Sequence, residues 1–262
     1  MRVTLNEATI AVVIPAYNEA ATIRDVASRC LAKARSVFVI DDGSTDGTSD
    51  ALADLPITLI RNEVNRGKAA SLWIGASAAL ERGAVAVVTI DGDGQHHPED
   101  ISSLLRVAST RPSAIVIGSR LHAKAEIPPS RYRANRFANF WISWAAGRAI
   151  DDTQSGFRLY PAAIFRELVV RHDRAHSFVF ESEVLIVASE AGFDVVTVPV
   201  AVSYAVAHRA SHFRPVADIA RIAAMLTRRL IGRRMNLRGL TRSLQRDELR
   251  GIPSPIRLPR KR

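Results

Sequence analysis

Residues 84–100, AVAVVTIDGDGQHHPED, decide how the chain is read. Ala84 to Ile90 is a continuous apolar run, the pattern of a strand buried on both faces of a parallel sheet. It stops at Asp91-Gly92-Asp93-Gly94-Gln95, and Pro98, Glu99 and Asp100 then suit the first turn of a helix. Two carboxylates and an amide are thereby expected at the carboxyl end of a central strand, where open α/β sheets bind ligands. Alternate carboxylates can share one hard cation. An acidic turn capping a helix would need one Asp and would leave Gln95 without a role.

Outward from this stretch the same grammar repeats. IAVVIP (10–15) reads as a first strand ending at Pro15-Ala16-Tyr17-Asn18-Glu19, with Asn18 as N-cap of a helix through about Lys33. Val37 to Ile40 runs into Asp41-Asp42-Gly43-Ser44-Thr45-Asp46-Gly47-Thr48. Leu59-Ile60 closes a short third strand, and Asn65-Arg66-Gly67-Lys68 opens a helix through Leu80. Strand, loop and helix alternate four times before residue 100, which predicts an α/β fold with a doubly wound, mostly parallel sheet. No glycine fingerprint of the dinucleotide type follows the first strand and no phosphate loop occurs, so a diphosphate would need a cation between it and the Asp side chains.

Beyond residue 113 the pattern changes. Ala114 to Gly118 is a buried strand ending at Ser119-Arg120. LHAKAEIPPSRYRANR (121–136) is a basic, proline-bearing loop leading into a helix with Phe137, Phe140, Trp141 and Trp144 on one stripe. That stripe reads as core packing first and as a lipid-facing surface second. Residues 178–190 form a helix, and the valines of 195–202 a last strand in which Pro199 implies an edge position.

The chain has 262 residues, is 47% hydrophobic, and carries a net charge of +10. Arg214 to Arg262 hold 14 of the 36 Lys and Arg residues against Asp218, Asp247 and Glu248, so the body is near neutral and the tail basic. This divides the chain into a body (1–213), a helix (214–232) whose amphipathic face reads as interfacial, with packing on the body or a dimer contact as the alternatives, and a basic tail (233–262) read as disordered. One cysteine, Cys30, excludes an intramolecular disulfide, and neither a signal peptide nor a spanning segment is evident. The expected location is cytoplasmic, peripheral on the inner face of a membrane.

Six pieces in register, IPAYNEAATI (14–23), DDGSTDGT (41–48), NRGKAASLWIGA (65–76), TIDGDGQHHPED (89–100), GSR (118–120) and DTQSGFRLY (152–160), resemble the inverting nucleotide-sugar glycosyltransferases of family 2, which have the GT-A fold. The resemblance implies that Pro15, Tyr17, Glu19 and Asp42 line the nucleoside pocket, with Lys68 and Asp91 also on the donor. It implies Asp91, Asp93 and Gln95 around Mg2+ or Mn2+. Among its subgroups the chain looks most like the dolichyl- and polyprenyl-phosphate sugar synthases. Arg120 and Arg131 or Arg133 match their acceptor arginines; Arg209-Ala210-Ser211-His212 approximates a late Arg-x-x-x-Ser-Lys-like segment, with His212 where lysine is expected.

The implied reaction is metal-dependent transfer of a sugar from a nucleoside-diphosphate sugar to a polyprenyl phosphate, with Asp93, Asp152, Arg120 and Arg131 as catalytic candidates and Arg120, Arg131, Arg133 and Arg209 on the acceptor phosphate. A hydroxyl acceptor on a glycolipid or polysaccharide would instead need a general base, for which Asp151, Asp152, Glu181 and Glu183 are available. The expected partners are the donor, a lipid acceptor and an anionic membrane surface. A non-catalytic nucleotide- or nucleic-acid-binding module is the reading of another class; it ranks last because no aromatic residue follows Phe213 for base stacking.

Overall fold

The computed structural model describes residues 5–122, 127, 129–170, 179–203, 215–232 and 234–244. Seven strands form one sheet: β1 (Ile10–Ala16), β2 (Ser36–Asp41), β3 (Thr58–Arg61), β4 (Ala86–Thr89), β5 (Ile115–Ser119), β6 (Arg158–Pro161) and β7 (Val195–Pro199), in the order β3-β2-β1-β4-β6-β5-β7. β6 is antiparallel to both β4 and β5, while the remaining pairs are parallel. The mostly parallel sheet and the edge position of β7 follow the sequence reading. Pro199 ends β7, so the strand is shorter than 195–202; beyond it Val202 makes an isolated bridge with His96.

Alternation along β1 explains the two layers. Ala11 and Val13 pack with Phe38, Ile40 and Val87 on one face, beneath α2 (Lys68–Glu81), α4 (Pro129–Ala146) and α6 (Phe180–Glu190). Val12 and Ile14 face the other way, onto Ile23, Val26 and Cys30 of α1 (Ile23–Leu31) and Leu104 of α3 (Ile101–Thr110). Sandwiched between helices, the central strands have no polar face to show, hence their uninterrupted Val and Ile. The short α5 (Ala162–Glu167) follows β6.

Asn18 does not cap α1. The helix begins four residues later, after Thr22, and Asn18 adopts φ +57°. Its N–H donates to Ser44 Oγ (2.8 Å) and its side-chain Oδ1 accepts the Thr45 N–H (2.8 Å). Contacts to the β2 loop, remote in sequence, have taken the side chain that local propensity assigned to a cap.

The C-terminal segments are helical as far as Leu244. α7 (Pro215–Gly232) turns Leu226 and Leu230 into the body, with Ile222 and Met225 partly buried beside them, and Arg229 bonds both Glu183 (2.8 Å) and Glu190 (3.1 Å) of α6. Leu226 and Leu230 of the apolar stripe thus lie against the body and Ala223 is exposed, while the side chains of Val216 and Ile219 lie outside the described residues. α8 (Leu237–Leu244) is helical where a disordered tail was expected, and residues 245–262 lie outside the described ones. The junction is fixed by the Trp144 indole N–H, which donates to the Met235 carbonyl (2.9 Å). The aromatic stripe of α4 is accordingly graded: Trp144 is buried, Phe140 and Trp141 are half-buried, and Phe137 is 68% exposed.

Candidate active site

The parallel strands end their carboxyl termini along one edge, and the loops there are tied to one another. The Glu19 N–H donates to Thr48 Oγ1 (2.8 Å), joining the β1 and β2 loops, and Thr22 Oγ1 donates to the Gly92 carbonyl (2.7 Å), joining α1 to the Asp91–Gly94 turn. Buried Asp41 accepts the Ser44 N–H (2.8 Å) and the Ser49 hydroxyl. Pro15, Tyr17 and Glu19 stand half-buried at the end of β1.

Asp42 has more internal work than the sequence suggested. It accepts hydrogen bonds from Asn62 Nδ2 (2.8 Å), Arg66 N–H (2.8 Å) and Gly67 N–H (2.7 Å), which fill three of its roughly four acceptor positions. Gly67, at φ +92°, supplies a turn that L side chains rarely adopt, and α2 starts at the next residue. Asp42 thus aims the start of α2, and with it Lys68, at the site.

Lys68 Nζ lies 2.7 Å from Asp91 Oδ1 and 3.1 Å from Glu181 Oε1. Burial works against its charge, but the two carboxylates outweigh burial and hold its pKa above the ordinary lysine value. Reciprocally, burial would raise the Asp91 carboxyl, and the Lys68 ammonium overcomes this and holds it below the usual range. Asp93 goes the other way: burial and the neighbouring Asp91 charge push it up, while it accepts the Gln95 N–H (3.0 Å). The Gln95 carbonyl accepts the Ser203 N–H (2.9 Å), which seats this turn against the segment after β7. Behind it, His96 is pushed down to about 4 by burial and by Arg120, so it is neutral at pH 7.

Arg120, immediately after β5, is clamped by Asp152. Its backbone N–H reaches Oδ2 (2.7 Å), Nε the same oxygen (3.2 Å) and Nη2 Oδ1 (2.9 Å). Asp152 is fully buried and sits at φ +49°, a left-handed position that asparagine and aspartate tolerate better than most residues. Charge at Arg120 is felt at Asp91 and Asp93, so the arginine and the aspartate turn belong to one electrostatic site.

The sequence reading overlooked Arg158. This fully buried guanidinium donates through Nε to the Ser155 carbonyl (2.7 Å), through Nη2 to the Thr153 carbonyl (2.8 Å), and through Nη1 to the Glu181 carbonyl (2.7 Å) and Tyr160 Oη (3.1 Å). It ties the loop carrying Asp152 to the first turn of α6, which carries Glu181. The available signal was an arginine opening the otherwise apolar strand Arg158-Leu-Tyr-Pro.

Of the acceptor arginines, Arg133 is exposed on α4. Arg131 belongs to the first turns of the same helix, but its side chain is outside the described residues, as is the whole of Arg209. Gly156 closes the site from below. A Cβ there would stand 2.7 Å from Asp91 Oδ2 and 2.9 Å from Lys68 Nζ, and its carbonyl already accepts Thr89 Oγ1 (2.8 Å). Gly156→Ala is expected to lower kcat/KM by about 10²-fold, the scale of a misplacement near 1 Å, while the unfolding midpoint moves by only a few degrees. Steady-state assays beside thermal unfolding check this.

Paired carboxylates at the end of a central strand, a cation at the start of the neighbouring helix and an arginine beyond β5 thus share one edge of the sheet. The chain belongs to glycosyl transferase family 2, whose model matches residues 11–172. It is 28% identical over 216 residues to the UDP-N-acetylglucosamine–dolichyl-phosphate N-acetylglucosaminyltransferase of Methanococcus voltae, covering 74% of this chain and 86% of that protein. It is 29% identical over 200 residues to the polyprenol monophosphomannose synthase of Mycolicibacterium smegmatis, covering 72% and 75%. Glucosyl-3-phosphoglycerate synthase from Mycobacterium tuberculosis, solved with Mn2+, UDP and glucosyl-3-phosphoglycerate, shares the fold at TM-score 0.61 and 21% identity over 86% of this chain and 79% of that one. The protein is a glycosyltransferase acting from a nucleotide sugar, near the polyprenyl-phosphate sugar transferases of its family.

Proposed function

We propose that this glycosyltransferase moves a sugar, with inversion at the anomeric carbon, from a nucleoside-diphosphate sugar to a polyprenyl phosphate at a membrane surface, assisted by Mg2+ or Mn2+. The observation that carries the choice of acceptor is the state of the candidate bases. Three of the four are held by cations, Asp152 by Arg120, Glu181 by Lys68 and Glu183 by Arg229, while the fourth, Asp151, faces solvent. Carboxylates whose acceptor positions face cations are poorly placed to take a proton from a hydroxyl, whereas a phosphate acceptor is already an anion and needs no base. The names of the Methanococcus and Mycolicibacterium relatives point to the same acceptor class.

The residues suit a divalent ion in one specific way. Among the described residues no three His, Cys, Asp or Glu side chains converge as a complete metal cage. Asp91 and Asp93, with Gln95 as a further oxygen donor, are a partial hard-ligand set of the kind that holds Mg2+ together with substrate phosphates. Bound there, the ion would offset charge on the leaving diphosphate. Lys68 would add a point charge on the same diphosphate, and Pro15, Tyr17, Glu19 and Asp42 would receive the nucleoside. Arg120, its plane fixed by Asp152, would bind the acceptor phosphate with Arg131 and Arg133, since guanidinium forks match phosphate geometry. Asp152 is then a positioning residue for Arg120.

No helix among the described residues is long and apolar enough to cross a membrane. The surface offered to lipid is on α4, where exposed Phe137 stands beside exposed Arg133 and Arg136, immediately after the basic loop. An aromatic side chain flanked by arginines suits an anionic interface.

The test is a radiolabelled nucleotide-sugar panel offered polyprenyl phosphate and the matching polyprenol separately, with and without chelator. Transfer to the phosphate, lost with chelator, is expected. Transfer only to the alcohol or to a soluble saccharide would overturn the acceptor, and full activity in excess chelator would overturn the metal.

A further inference from the structure

The Lys68 ammonium is paired with a carboxylate, Asp91, that would also hold a divalent cation. It bridges Asp91 Oδ1 (2.7 Å) and Glu181 Oε1 (3.1 Å), with the Gly156 backbone against the pair. Asp93 belongs to the same cluster, since the charges of both Asp91 and Lys68 act on it. Two carboxylates therefore contact one ammonium, with Asp93 near enough to feel its charge. A metal bound to Asp91 at the usual oxygen distance would lie within about 5 Å of an ammonium on the same carboxylate, so the two cations repel across one ligand. Lysine can yield: its charge is a point on a flexible four-carbon stem. Asp42 fixes only the backbone at the start of α2, through Arg66 and Gly67, and Glu181 is a second anchor that does not involve Asp91.

We propose that Lys68 is the site's own counter-cation, holding Asp91 until the donor arrives and passing to the donor's diphosphate as the divalent ion takes the carboxylate. The inference rests on the metal-assisted donor binding proposed above. It makes metal binding favour the nucleotide-bound state: without a diphosphate to receive Lys68, the ion must displace the ammonium from Asp91 with Glu181 alone to compensate it. Coupling of this kind is reciprocal, so nucleotide and metal strengthen each other by one common factor. It also gives Glu181 a role that neither acid–base chemistry nor metal ligation supplies, as the anchor keeping the released ammonium within the site.

The test measures Mn2+ binding by loss of the free-ion EPR signal, using the full-length chain and no sugar transfer. Wild type is compared with Lys68→Met, Lys68→Gln and Lys68→Arg, each alone and with UDP, GDP, CDP or ADP. Nucleotide-free Mn2+ affinity is expected to rise by about 10-fold in Lys68→Met, within the usual range of coupling between sites, with a matching loss of nucleotide enhancement. Lys68→Arg, which restores a cation, is expected to bind Mn2+ as weakly as wild type does. Lys68→Gln keeps a hydrogen-bond donor without charge and serves if the methionine variant fails to fold. If wild type binds Mn2+ with a nucleotide but neither neutral variant binds it more tightly without one, the counter-cation role is overturned and the metal reading stands. If wild type binds no Mn2+ with any of the four nucleotides, both are overturned.

Discussion

Asp91→Asn is expected to lower kcat/KM by about 10³-fold or more, corresponding to about 4 kcal/mol of lost transition-state stabilisation. The carboxylate is the meeting point of the site's electrostatics: it is 2.7 Å from Lys68 and adjoins Asp93. Asparagine keeps the shape and removes the charge that a divalent ion needs. It also leaves Lys68 tied to Glu181 alone, so the ammonium's position changes along with the ligand set. Stability is expected to respond far less. The Lys68 and Asp91 side chains are 26% and 29% exposed, and partly exposed ion pairs contribute on the order of 1 kcal/mol or less. Relief of repulsion between Asp91 and Asp93 acts in the opposite direction. Donor-saturated kinetics beside thermal unfolding separate the two effects, and a variant that keeps a tenth of wild-type activity would remove Asp91 from the centre of the mechanism.

Arg158→Met is expected to have the largest effect on the fold, destabilising by about 3–5 kcal/mol, as the loss of a buried, hydrogen-bonded cation does. Methionine fills a comparable volume, so the penalty comes from hydrogen bonding more than from a cavity. It strands two buried carbonyls, those of Thr153 and Ser155, and the partly buried one of Glu181, which now accept from the guanidinium. Against a total stability of about 5–15 kcal/mol this is a large fraction. Urea unfolding with an unchanged slope would report it as a shift in midpoint. Activity is expected to fall further than stability alone accounts for, because the loop released is the one that places Asp152 on Arg120. A loss under about 1 kcal/mol would show that water replaces the guanidinium on those carbonyls.

The pieces of the site contributed by single loops were legible in the chain. Asp91 and Asp93 follow an apolar run, and such a run buried in a parallel sheet can end only at the ligand-binding edge. Lys68 was legible as a residue of a helix start and Arg120 as one of a strand end, for the same reason. Their partners were not. Glu181 and Lys68 are 113 positions apart, and neither spacing nor propensity relates them. Arg158 was overlooked because a single charge in a short strand has no periodic signature, and Asn18 was misjudged because its contacts are to Ser44 and Thr45 in another loop.

What the sequence by itself determined is the layered α/β architecture, the mostly parallel sheet and the edge where carboxylates collect. Those follow from hydrophobic period and from where it is interrupted, which are local properties of the chain. Only the tertiary structure decided which charges neutralise one another and which apolar stripe is covered. The face of α7 carries the pattern of an interfacial helix, yet Leu226 and Leu230 are buried on the body, with Arg229 held by α6. An amphipathic pattern states that a face must leave water; whether protein or lipid receives it depends on which apolar surface the rest of the fold brings within reach.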